Sequence, residues 1–159
     1  MRITPITLLL LILPFDLSAH HSRAEYVEEI ELEGTLVDIL WRNPHPGFTI
    51  EVEENGQIIS WTLEGWSSLN GFTRVGITPD RFELGDTIKV FGRISERRAG
   101  RILSTHILLA DGTEAVLMRQ ADPYWGESEH LGGKDRWETE TQAAIVNASE
   151  ENRGIFRVW

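Results

Sequence analysis

Cysteine is absent from the 159 residues. That single absence excludes disulfides, thiolate nucleophiles, iron–sulfur clusters, zinc ribbons and acylation of an N-terminal cysteine. Any metal held by this chain must use histidine, carboxylate or backbone. Basic residues are also scarce: 15 Lys and Arg stand against 25 Asp and Glu, a formal charge of −10 with a pI near 4.9. Nucleic acid and anionic membranes meet a repelling field from such a chain, so neither is expected as a partner. No apolar run approaches the ~20 residues of a bilayer-spanning helix. No Gly-x-Ser-x-Gly, P-loop or Rossmann fingerprint occurs, and nothing singles out two carboxylates as a glycosidase pair. What is present, 41% hydrophobic and 25% charged residues, is the composition of a globular protein, and the length allows one ordinary domain with additions.

The N-terminus reads as an address. Arg2 gives a positive start, Ile6 to Leu13 a short apolar core, Pro14 ends it, and Ser18-Ala19, after a larger Leu17, supplies small residues for cleavage. Residues 1–19 are therefore expected to be a secretory signal peptide, with His20 first in the mature chain and a cut after Ser18 as the neighbouring alternative. Export to a bacterial periplasm or the cell exterior follows, with no stable membrane insertion after cleavage.

Residues 20–116 carry the pattern of a small β domain. In Glu29 to Trp41, Ile30, Leu32 and Leu36 share one parity while Val37, Ile39 and Trp41 share the other. Side chains alternate faces along a strand, so this flip requires a bulge or coil near Gly34 to Val37 and lets one long strand serve two sheets. Phe48, Ile50 and Val52 then alternate up to Asn55-Gly56, a pair suited to a type I′ hairpin turn. The register predicted from that turn sets Val52 against Ile59, Ile50 against Trp61 and Phe48 against Leu63. Ser67 or Ser68 can cap a short helix holding Leu69 and Phe72 and stopping at Gly76, and Thr78-Pro79 starts one further turn. Ile88, Val90 and Ile94 make a fourth strand. Arg101 to Leu109 makes a fifth, in which Leu103, Thr105, Ile107 and Leu109 share a face and His106 lies on the other. The expected fold is mainly β: a five-stranded OB-like Greek-key barrel with one short helix, or else an open meander. Residues 117–159 read as a polar, poorly ordered tail, while the apolar end from Ile155 to Trp159 suggests the start of a truncated second element or a docking strand.

Histidines carry most of the chemical interest. His20 and His21 follow the expected cleavage site, and His45 sits in a loop between two prolines, Pro44 and Pro46. A free terminal amine with His20 forms a chelate, and His21 or His45 could add a third nitrogen, a set that suits Cu(II). Against this stands a plain exposed terminus and a turn histidine bonding backbone. His106 and His130 read as surface residues. Trp41 and Trp61 fall on core faces, whereas Trp66, Trp125 and Trp137 are candidates for exposed contacts with a ligand or partner.

Ala19-His20-His21-Ser22, Trp41-Arg42-Asn43-Pro44-His45, Gly85-Asp86 and Leu109-Ala110-Asp111-Gly112 resemble the small exported bacterial proteins grouped as domain of unknown function 6152. The resemblance runs from about Ala19 to Gly112 and implies export and a β-barrel, with no activity attached. Arg23, Tyr26 and Pro46-Gly47 depart from it. The function expected from all of this is an exported, non-enzymatic OB-like module that binds a small ligand or an envelope protein. The alternative is a copper-binding protein using His20, His21 and His45, and an enzyme needing no metal comes third.

Overall fold

The parity flip in the first strand is physical. The computed structural model describes residues 23–126 and 129–155, and in it β1 (Tyr26–Leu40) is a 15-residue strand with two partners. Tyr26 to Thr35 pair antiparallel with β4 (Thr87–Ser95). Thr35 to Leu40 pair antiparallel with β2 (Gly47–Glu54), across a bulge between Leu36 and Asp38. Gly34 sits at the changeover because a Cβ there would lie 2.6 Å from the Glu51 carbonyl oxygen. Upstream of the bulge Ile30, Leu32 and Leu36 face the core, and beyond it Ile39 and Trp41 do.

β2 and β3 (Gln57–Glu64) form the hairpin set by Asn55 and Gly56, whose φ values are 53° and 76°. Val52 faces Ile59, Ile50 faces Trp61 and Phe48 faces Leu63, as the turn predicts. Short helix α1 (Leu69–Arg74) is capped by Ser68, whose Oγ accepts from the Gly71 N–H at 3.3 Å, and it drives Phe72 into the core. A 3-10 turn at Pro79–Arg81 follows, then β4 and β5 (Arg101–Leu108).

All strands of the described residues, including the short β6 (Glu114–Val116) and β7 (His130–Gly132), belong to one sheet in the order β3-β2-β1-β4-β5-β6-β7, and β3 also pairs in parallel with β5 from Thr62↔Arg101 to Glu64↔Leu103. The first five strands are thus joined in a ring of pairings around Leu36, Phe48, Ile50, Leu63, Val90 and Ile107, all buried.

Two expectations are corrected. The face of β5 does not run unbroken through Leu103, Thr105, Ile107 and Leu109. The register slips opposite Phe91 and Gly92, so Ile102 and Ile107 enter the core while Leu103 and His106 are buried on the outer face. His106 is only 5% exposed and is no surface residue. The second correction concerns the region read as a tail. β6 (Glu114–Val116) pairs with β5, β7 (His130–Gly132) pairs in parallel with β6, and α2 (Gly133–Ile155) follows directly. Gly132 and Gly133, at φ 75° and 82°, are the turn into this helix rather than a linker. Trp137 fixes α2: it is buried, joins the core beside Gly71, and lies under the Arg119 guanidinium at 4.9 Å. Among the described residues no helix is long and apolar enough to cross a membrane.

Candidate functional site

The parallel pairing of β3 with β5 brings the end of one strand beside the start of the other, and β1 begins next to both. Tyr26, Glu64 and Arg101 are consequently neighbours although they are far apart in sequence. Tyr26 Oη donates to Glu64 Oε2 at 2.9 Å, and Arg98 Nη2 donates to Tyr26 Oη at 2.5 Å. Arg98 Nη1 reaches Glu64 Oε1 at 3.1 Å, and Arg101 also bonds Glu64 Oε1. A further charge pair joins Arg98 to Glu25. The loop between β4 and β5 that carries Arg97 and Arg98 is held by Ser95 Oγ, which accepts from both backbone N–H groups at 3.3 and 3.0 Å.

Opposite stands the loop between β1 and β2. His45 Nδ1 lies 3.2 Å from the Ser67 carbonyl oxygen, and Asn43 Oδ1 accepts from the Leu69 N–H at 3.4 Å. A carbonyl only accepts, so Nδ1 is the donor in this contact. This loop and the β4–β5 loop flank a cleft of about 1090 Å³ whose walls include Glu25, Arg42, His45, Arg97, Arg98 and Arg101. A smaller, more apolar cavity of about 270 Å³ adjoins it, lined by Phe91, Thr105, His106 and Met118. Tyr26, Trp66 and Leu103 belong to both walls.

Burial and charge set the titration of the cleft. Burial alone would raise the Glu64 carboxyl, but the hydrogen bonds from Tyr26 and Arg101 and the charge of Arg98 outweigh it and hold the group below its ordinary value. The Tyr26 phenol is pushed well upward, first by burial and then by its bond to the Glu64 carboxylate. Both groups keep fixed states near neutral pH: Glu64 an anion, Tyr26 a neutral donor.

Behind the smaller cavity lies a second buried polar group. Glu114 is fully buried, and its carboxylate accepts from the Tyr124 N–H at 2.6 Å and the Trp125 N–H at 3.1 Å. His106 Nε2 donates to the Asp122 carbonyl at 3.0 Å and comes within 4.0 Å of Glu114. Desolvation lowers the His106 pKa, against the opposing pull of the Asp122 carbonyl and of Glu114. Tyr124 stacks on Phe91 at 4.0 Å between centroids. This set straps residues 122–125 onto the outer face of the sheet. Sequence reasoning missed it because an acidic residue just after Asp111-Gly112 reads as one more solvated carboxylate.

The structure therefore sorts the candidates. Trp66 is half-buried in the wall shared by the cavities, Trp125 is half-buried with its ring edge-on to His106, and Trp137 is buried in the core rather than exposed. His130 is half-buried with Nε2 at 3.2 Å from Asp135 Oδ1. His45 is exposed in the cleft, whereas His20 and His21 lie outside the described residues. Among the described residues no group of three or more His, Asp or Glu is arranged to hold a metal ion. Arg42, Arg97, Arg98 and Arg101 are gathered in one cleft.

A model described as a family of unknown function, DUF6152, matches residues 9–105. No curated protein matches the chain.

Proposed function

Because the chain belongs to the family of unknown function DUF6152, its activity has to be argued from its own residues, and we propose that it is an exported, non-enzymatic module of the OB type that binds a small ligand in the cleft between its β1–β2 and β4–β5 loops. The observation carrying this reading is the shared wall: Tyr26, Trp66 and Leu103 join a charged cleft to an apolar cavity on one face. Ligand sites are concave and mostly apolar, with a few converging polar groups, and this surface combines both features. The OB assignment draws support from the ring of pairings β1-β2-β3-β5-β4 with α1 between β3 and β4. In that fold the loops after the first and fourth strands border the binding face. Binding rather than catalysis is favoured because Glu64 commits its oxygens to Tyr26, Arg98 and Arg101, leaving no carboxylate there poised as a base. Export with cleavage after Ala19 remains part of this reading.

Copper binding is the second reading, and one observation favours it. His45 points a proton at the Ser67 carbonyl through Nδ1, the orientation that metal-ligating histidines commonly have. Four arginines in that cleft oppose a dication, which is why this reading comes second.

Saturation-transfer NMR with a panel of neutral and anionic fragments tests the leading reading. Hits are expected on the wild-type protein and should be lost in Trp66→Ala. Hits that persist unchanged in that variant, or none at all, would reject the cleft as the binding site.

A further inference from the structure

The cleft is cationic in a molecule that is strongly anionic. Of the groups that line it, Glu25 and Glu64 are committed to Arg98, Arg101 and Tyr26, so two carboxylates offset two guanidinium groups. Arg42 and Arg97 are left over. Both are exposed, they enter the cleft from its opposite loops, and neither has an ion pair among the described residues. The chain has 25 acidic residues to 15 basic ones, so carboxylates to neutralise these two arginines were abundant in the sequence and were not set beside them. Guanidinium groups present planar forks of N–H donors that match the oxygens of carboxylate and phosphate.

The other end of the site has the opposite character. Past Tyr26, Trp66 and Leu103 the wall becomes Phe91 and Met118, the adjoining cavity of about 270 Å³. Arg93 also touches this cavity, but its guanidinium is engaged by Glu29 at 3.0 Å. A ligand filling both spaces must therefore be charged at one end and apolar at the other. Resting on the cleft as the binding site, we infer that the ligand is a small amphipathic oxyanion. Its carboxylate or phosphate head lies between Arg42 and Arg97, and its apolar body crosses Trp66 and Leu103 into the cavity beside Phe91 and Met118. A polyanion is disfavoured, because beyond the cleft it meets the acidic strand β1, where Glu28, Glu29, Glu31 and Glu33 are exposed.

Calorimetry of the purified full chain with decanoate and decyl phosphate, each below its micelle concentration, and with decanol below its solubility limit separates the parts of this inference. Either or both anions should bind at least about tenfold more tightly than decanol, and the difference should shrink as salt is raised. Preference for one anion identifies the head as carboxylate or phosphate. In Arg42→Gln/Arg97→Gln the anions should fall to about the affinity of decanol, with decanol binding and the melting midpoint unchanged. Equal binding of anions and alcohol by the wild type, or a preference that survives the double substitution, overturns the oxyanion and leaves the cleft standing. Failure of all three to bind overturns this inference and the cleft together.

Discussion

At His106 burial dominates over charge. The ring sits within 4.0 Å of a buried carboxylate, yet its pKa is lowered because desolvation penalises the imidazolium more than Glu114 rewards it. The unfolded chain therefore takes up a proton near pH 6.5 that the folded chain refuses until lower pH. Stability from this site is present above that value and is lost as pH falls toward the folded pKa. His106→Gln should flatten the fall in denaturation midpoint between about pH 7.5 and about pH 5.5 relative to the wild type, and parallel slopes would contradict the assignment. None of this was legible in the sequence. Alternation put His106 on the face opposite Ile107, where it lies, but gave no sign of the strap of Asp122 to Trp125 that covers the ring. The partner that makes the strap, Glu114, has no local signature, since burial of a carboxylate is decided by distant backbone N–H groups that come to meet it.

Elements governed by local chemistry were readable. Asn55 and Gly56 supply the two positive φ values of the turn, and everything in the β2–β3 register follows from them. The bend of β1 was legible from its own parity change, and Ser68 and Pro79 announced the short helix and the turn after it. Element α2 was not, because from Gly133 to Gln142 Trp137 is its one apolar side chain, and such a stretch leaves almost no periodic trace. The hairpin provides the sharpest check on register. Ile50 is fully buried and Glu51 beside it is exposed. Ile50→Glu should cost about 3–5 kcal/mol or abolish folding, whereas Glu51→Gln should stay within about 0.5 kcal/mol, as read by urea denaturation. Similar losses for the two would place the wrong face inward.

For the whole molecule, the deciding event is the pairing of β3 with β5. It joins the first five strands in a ring and sets Tyr26, Glu64 and Arg101 side by side. One positive cleft on a chain of net charge −10 holds Arg42 together with Arg97, Arg98 and Arg101. The elements of the site were legible and the site was not, because no local pattern encodes which loops will face each other. That cleft, flanked by the β1–β2 and β4–β5 loops, is the central claim, and backbone amide shift mapping during a decanoate titration tests it most directly. Shifts should concentrate at Tyr26, Arg42 to Gly47, Glu64 to Trp66 and Phe91 to His106, with α2 and the Asn55-Gly56 turn silent. Shifts centred on α2 and β7, or spread evenly over the protein, would contradict it.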